Sequence, residues 1–278
     1  MPSLPAGPGA VAGLPDFSRV VVIVMENKEY GSIVGSSSAP YENALIRRYG
    51  LASSAFAVSH PSLPNYLALI AGSTFGIRSD CTDCSIRATN LVDQLERAGI
   101  SWKAYLGGMP SACFRGASAG EYAKKHDPLL YFRDVAGAAS RCRRVVPLSR
   151  LGTDLRADRL PRFVWITPDL CQDTHDCGVT AGDEFLRAEV PPLLRALGPL
   201  GVLFVAWDEG TSNAGCCRLA AGGHVPLIVA GPAVRRGARL RAAVDHYSIL
   251  RTIELAWGLT PLRGARCPCT RSLSGLLA

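Results

Sequence analysis

Aromatic residues make up only 7% of this 278-residue chain and nowhere alternate with basic ones, so it lacks the stacking platform that a nucleic-acid binder needs. Long apolar runs are missing too: the longest, VVVIVM at 20–25, is far too short to cross a bilayer. Charged residues are scarce, at 19% against 48% hydrophobic, yet a composition that apolar excludes disorder and supplies a large core. There is no internal repeat. The repeated Cys-x-x-Cys spacing of a zinc ribbon is absent. No export leader is expected within MPSLPAGPGAVAGLPDF, which has neither a basic start nor a long apolar segment.

Cysteine, by contrast, is abundant. Ten residues, at Cys81/Cys84, Cys113, Cys142, Cys171/Cys177, Cys216/Cys217 and Cys267/Cys269, point to disulfides formed in an oxidising compartment. CTDC and CQDTHDC suggest short clips, with the pairing left open. The expectation is a secreted or extracytoplasmic protein whose export signal has been trimmed. The net charge of +7 comes from 26 Arg and four Lys against 23 acids. The Arg are densest in RCRRVVPLSRLGTDLRADRLPR (141–162), which reads as a solvated basic face before it reads as a phosphate or nucleic-acid surface. A positive field still favours anionic substrates.

Along the chain, residues 1–17 are rich in Pro, Gly and Ala and read as a flexible lead-in to one domain over 18–278. RVVVIVM (19–25) has the continuous β-branched pattern of a strand buried on both faces. Strands then alternate with helices. LASSAFAV, the end of NLVDQLERAGISWKAYL, RFVWIT, GVLFVAWDEG and VPLIVAGP read as strands. APYENALIRRYG, LPNYLALIAG, NLVDQLER and DHYSILRTIELAWGL read as helices, and GDEFLRAEVPPLLRAL as a helix interrupted by proline. The pattern predicts an α/β fold, a doubly wound, mostly parallel sheet with helices on both faces and a loop-rich insertion around 108–160.

In such sheets a ligand sits outside the carboxyl ends of the strands. Four predicted strand ends run into polar residues: Glu26-Asn27, the stretch His60-Pro61-Ser62-Leu63-Pro64-Asn65, the loop PDLCQDTHDC with Asp169, Asp173, His175 and Asp176, and Asp208-Glu209. An oxygen-rich set of this kind suits one divalent cation, without which its own charges repel. Oxygen ligands admit calcium, magnesium or manganese, and the nearby histidines also zinc or iron. Ser62 opens a helix with Pro64 in the first turn, where backbone N–H groups favour an anion and a metal would make the hydroxyl nucleophilic. On its own it reads as a helix cap. Among the five histidines, His60 and His175 lie in the strand-end loops, His126 and His224 are balanced between roles, and His246 opens a helix as a structural residue.

In order and spacing, VVVIVMENKEYGSIVG, HPSLPNYLALIAG, YAKKHDPLLYF, TPDLCQDTHD, WDEG and DHYSILRTIE resemble the phosphoesterase family. That family contains bacterial acid phosphatases and phosphatidylcholine-cleaving phospholipases C, and belongs to the alkaline phosphatase-like superfamily. The chain is most similar to its short secreted actinobacterial acid phosphatases. The resemblance covers residues 19 to about 260. It implies that Glu26, Asn27, Asp208 and Glu209 hold the metal together with Ser62, the phosphoryl acceptor. It further implies that Asn65, His126, His175 and Asp176 line the phosphoryl pocket, and His60 and His224 are added as substrate-side residues. Some relatives have Thr as nucleophile, and others a second Asp where this chain has Glu209.

The expected reaction is hydrolysis of small phosphate monoesters, phosphoinositide headgroups included, through a phosphoserine, with a protonated His175 held by Asp176 assisting the leaving alcohol. A phospholipase C acting on phospholipid diesters is the rival within the enzyme class. A non-catalytic anion- or nucleic-acid-binding protein is the rival outside it.

Overall fold

The computed structural model describes residues 14–278. Eleven strands are present among these residues: β1 (Val20–Met25), β2 (Gly50–Phe56), β3 (Trp102–Leu106), β4 (Ser118–Ala119), β5 (Tyr122–Ala123), β6 (Val145–Pro147), β7 (Phe163–Thr167), β8 (Val202–Trp207), β9 (His224–Ala230), β10 (Arg239–Leu240) and β11 (Val244–Asp245). Strands β4 and β5 form a small hairpin. The others build one sheet in the order β10-β2-β9-β8-β1-β7-β3-β6, with β11 also paired to β2.

The β-branched run of β1 takes the centre, where a strand must be apolar on both faces. All six residues are buried, and β1 pairs in parallel with β7 on one side and β8 on the other. Only β9 runs against its neighbours, β8 and β2. Two reversals restore direction, so β2 points the same way as β1, β7 and β8. All four therefore deliver their carboxyl ends to one edge, and β9 brings its first residue, His224, to that edge opposite Phe56.

Helices cover the sheet. Ser62–Ala71 is buried at every position and ends at Gly72, whose φ of 71° provides the left-handed cap. His246–Ala256 packs against it and starts with a capping box between Asp245 and Ser248. The helix Val179–Ala196 is not interrupted: Pro191 and Pro192 lie inside it. The two prolines leave the carbonyls of Arg187 and Ala188 without helical donors. The buried stripe Phe185, Leu186, Val190, Leu193 and Leu197 runs past them at helical spacing, and its packing holds the turn together.

Of the expected lead-in, residues 1–13 lie outside the described residues. Leu14 and Phe17 are buried, and the Phe17 carbonyl accepts the Trp257 indole N–H at 2.8 Å, so the packed chain extends back to residue 14. The 108–160 stretch is loop-rich, yet it is more than an appendage. It supplies β6 to the main sheet beside β3, buries Leu129, Tyr131 and Phe132, and carries His126 inward. All ten cysteines pair, as Cys81–Cys84, Cys113–Cys142, Cys171–Cys177, Cys216–Cys217 and Cys267–Cys269. Among the described residues, no helix is long and apolar enough to cross a membrane.

Candidate active site

Four strand ends build the site. Glu26 and Asn27 leave β1, and Asp208 and Glu209 leave the adjacent β8. After β2 the chain crosses five residues before the helix that Ser62 opens, and after β7 it enters the Cys171–Cys177 loop. Ser62 is buried, and its Oγ lies 3.0 Å from Glu26 Oε2 and 3.4 Å from Glu209 Oε1. It is the first residue of its helix rather than the cap. Pro61 holds the cap position, and no side chain caps there.

Glu26 is the hub. One oxygen accepts the Ser62 hydroxyl and lies 3.2 Å from His126 Nε2, while the other accepts the Tyr66 hydroxyl. His126 Nδ1 is 3.2 Å from Asp173 Oδ2. Burial alone would push Glu26 up, but His126 and the Tyr66 bond hold it below the ordinary carboxylate value. Burial opposes a charge on His126, yet Glu26 and Asp173 raise it to about 9, so an imidazolium bridges two buried carboxylates at neutral pH. Burial lifts Asp173 to about 6.

On the other side of Ser62 the charges are only partly compensated. The Asn27 N–H donates to Asp208 Oδ1 at 3.0 Å, and Asp208 Oδ2 is buried without a partner. Burial, with Glu26 and Glu209 nearby, pushes Asp208 far above its ordinary value. Glu209 is also raised by burial, although His60 Nδ1 pairs with its Oε2 and pulls the other way. One terminal atom of the Asn27 amide lies 3.3 Å from Asp208 Oδ1 and 3.1 Å from Glu209 Oε1. As nitrogen it donates to both, and as oxygen it completes an all-oxygen cradle with Asp208, Glu209, Ser62 and Glu26. An orphaned buried carboxylate oxygen among like charges fits a divalent cation. A second grouping brings one atom each of Glu26, His126 and His175 within 4.8 Å of one another, but His126 there is already committed to Glu26 and Asp173.

His175 stands at the rim. Its Nδ1 is 2.6 Å from Asp176 Oδ1 and its Nε2 3.1 Å from Lys125 Nζ. An ammonium can only donate, so Nε2 carries the lone pair and Nδ1–H faces Asp176. His60 meets Glu209 and the Ser212 carbonyl, which makes it a support for the carboxylate rather than a substrate contact.

Two expected substrate-side residues are not available to a ligand. Asn65 is fully buried and its amide is committed to backbone: Oδ1 accepts the Val58 and Ser59 N–H groups, each at 2.9 Å, and Nδ2 donates to the carbonyls of Ser59 and Pro61. It shapes the loop that presents Ser62. His224 reaches the correct edge but stacks between Tyr30 and Phe56 and bonds the Ser53 carbonyl. The helix end expected to receive an anion also has one already, because Asp80 Oδ1 accepts the Leu63 N–H at 2.9 Å.

The sequence reading missed several members. Tyr66 lies one turn beyond Ser62, so the i, i+4 spacing that puts both on one helix face was a usable signal. Asp80, Lys125 and Glu29 gave none. Glu29 Oε1 accepts the Thr211 and Ser212 N–H groups at 3.0 and 2.8 Å, and a Cβ on Gly210 would lie 2.5 Å from it, so a side chain there would push the Glu29 carboxylate off the turn. His246 is structural, as expected. Burial lowers it to about 4, so it is neutral, and Nε2 bonds the Trp207 carbonyl just before Asp208.

A family model described as the Phosphoesterase family matches residues 36–260. The chain belongs to this family. The match starts after Glu26 and Asn27, so those two ligand candidates rest on geometry and on the wider similarity. This phosphoesterase is 32% identical over 252 residues to the phosphatidylinositol-3-phosphatase of Mycobacterium tuberculosis, covering 90% of this chain and 80% of that protein. It is 29% identical to the phosphate-repressible acid phosphatase of Penicillium chrysogenum, covering 99% of this chain and 67% of that one. Its fold is that of the alkaline phosphatase superfamily. A solved member from Vibrio parahaemolyticus superposes with a TM-score of 0.64 at 14% identity, over 92% of this chain and 71% of the other. The phosphoesterase is accordingly an enzyme that hydrolyses phosphoric esters.

Proposed function

We propose that this phosphoesterase works through a phosphoserine at Ser62, with a divalent cation held by Asn27, Asp208, Glu209, Ser62 and Glu26. The supporting observation is the burial of Ser62 Oγ within reach of two carboxylates beside the orphaned Asp208 oxygen. Bound there, a cation supplies neutralisation of the carboxylates, a more acidic serine hydroxyl and polarisation of the phosphoryl group. Ser62 Oγ attacks phosphorus in line and passes its proton toward Glu26 Oε2. His126 keeps Glu26 oriented through the ion pair, and Tyr66 fixes its second oxygen. With its Nε2 lone pair, His175 takes the proton of the water that hydrolyses the phosphoserine. The departing alkoxide takes its proton from solvent, Glu26 returns the serine proton to Ser62 Oγ as the phosphoserine breaks, and His175 then releases the proton of the attacking water to solvent.

Small phosphate monoesters are the proposed substrates, with phosphoinositide headgroups among them because the mycobacterial relative is named for that activity. A nucleic-acid role is not supported by the Arg-rich segment. Arg143-Arg144 and Arg162 directly precede β6 and β7, at the sheet edge away from Ser62, and Arg141 is paired with Asp93, Glu96 and Asp134. The five disulfides support a location outside the cytoplasm.

Ser62→Ala tests the reading. Turnover of an aryl phosphate should vanish while bound metal stays at the parent level. Full activity in this variant would overturn the assignment. Running the bis-aryl diester and phosphatidylcholine alongside separates a monoesterase from a phospholipase C.

A further inference from the structure

Among the described residues, the rim holds a cation, Lys125, whose two side-chain contacts are both weak. Lys125 and Lys124 are neighbours in sequence but lead different lives. Lys124 Nζ donates to the Thr82 carbonyl at 2.6 Å and lies 5.0 Å over the Tyr131 ring, away from the serine. Lys125 Nζ lies 3.3 Å from Asp80 Oδ2 and 3.1 Å from the lone pair of His175 Nε2. Neither contact is strong. One is a long ion pair, the other a bond to a neutral imidazole, and the third N–H of the ammonium is uncommitted.

Both partners tie Lys125 to the serine by separate routes. Asp80 also accepts the N–H of Leu63, the residue after Ser62. The His175 ring lies 5.7 Å from that of His126, which pairs with Glu26, the acceptor of the Ser62 hydroxyl. The positive end of the Ser62 helix is already complemented by the Asp80 carboxylate. A phosphoryl group arriving at Ser62 therefore needs another cation on the side facing His175, and Lys125 is placed there.

We propose that Lys125 is a substrate-binding residue specific for the dianionic phosphoryl group of a monoester. Its Nζ leaves the His175 lone pair for a terminal phosphoryl oxygen while Asp80 keeps hold of it. Exchanging a neutral acceptor for a doubly charged one drives the move, and it releases His175 Nε2 for proton transfer. A diester has one charge less and one terminal oxygen fewer, so it gains less from Lys125. This rests on the phosphoserine reading and adds the group that discriminates substrate charge.

The test compares Lys125→Met with Lys124→Met, the same charge change one residue away, and with Asp80→Asn, which keeps the oxygen facing Leu63. The readouts are KM for an aryl phosphate and the competitive inhibition constant of inorganic phosphate. Lys125→Met should raise both by about 10- to 100-fold, the usual worth of one charge-assisted hydrogen bond. Lys124→Met should stay within about threefold, Lys125→Arg should recover most of the loss, and Asp80→Asn should weaken phosphate inhibition far less than Lys125→Met does. If Lys125→Met does not fold, the Lys125→Arg and Asp80→Asn results decide. Phosphate inhibition weakened equally by those two would mean that the ion pair itself matters, which overturns the proposal. So would an unchanged phosphate constant in folded Lys125→Met. Failure of the phosphoserine reading would appear instead as activity surviving in Ser62→Ala, whatever the lysine variants do.

Discussion

Glu42 allows a stability prediction away from the active site. It sits in the first turn of the helix Pro40–Arg48, fully buried, with neither carboxyl oxygen bonded. Asp183, from the helix Val179–Ala196, lies beside it and accepts the N–H groups of Tyr41 and Glu42 at 2.8 and 2.9 Å. Burial, followed by the charge of Asp183, pushes Glu42 up to about 8 from an ordinary 4.5. The folded state therefore binds this proton more tightly than the unfolded one. Its contribution is fully present below pH 4.5 and is lost as pH rises through about 8. The displacement corresponds to about 5 kcal/mol at the alkaline limit, and relaxation of the helix end brings the realised figure to about 2–3 kcal/mol. Glu42→Gln keeps the shape, cannot ionise, and offers an N–H to Asp183 Oδ2, which has only a 3.6 Å ion pair to Arg187 and no hydrogen bond. At about 2–4 °C per kcal/mol, the variant should melt roughly 5–10 °C above the parent at pH 8.5 and level with it at pH 4.5. Circular dichroism melts with the disulfides intact measure this. A variant less stable than the parent at pH 8.5, or a shift identical at both pH values, would refute the reasoning.

Two further outcomes follow from the active-site packing. Asn65→Ala leaves the N–H groups of buried Val58 and half-buried Ser59 without their acceptor and should cost about 2–4 kcal/mol in denaturant unfolding. It should lower kcat with phosphate inhibition little changed, because the amide shapes the loop and does not touch the ligand. A chelator should abolish activity and lower the melting temperature, with both restored by added divalent ion. Under chelation Asp208→Asn should be the more stable protein, by on the order of 1–3 kcal/mol, since it removes one buried like charge and its orphaned oxygen.

Much of the architecture was legible because its signals are local. The β-branched run 20–25 can only be a strand buried on both faces, and helix periodicity beside it implies a covered parallel sheet. Polar residues directly after apolar runs then locate the working edge. The prolines at 191 and 192 misled because a local rule lost to tertiary packing along the stripe from Phe185 to Leu197. The direction of β9 was also hidden, since a buried antiparallel strand and a buried parallel one have the same composition.

The site divides along the same line. Glu26, Asn27, Ser62, His175, Asp176, Asp208 and Glu209 could be picked out because each follows a strand, and strand ends share an edge wherever strands are parallel. What each polar atom does there was settled by neighbours distant in the chain. Asn65 and His224 have the right chemistry, but backbone groups and aromatic rings meet them first. Tyr66, Asp80 and Lys125 look ordinary in sequence, and only the folded chain sets them around the serine. The sequence by itself determined that a sheet edge would gather carboxylates, imidazoles and one serine, because strand periodicity and loop polarity are properties of short segments. Tertiary structure alone decided which of those groups are consumed in holding the fold and which remain free to meet a phosphate, because a hydrogen bond depends on a few ångströms between residues as far apart in the chain as Ser62 and Glu209.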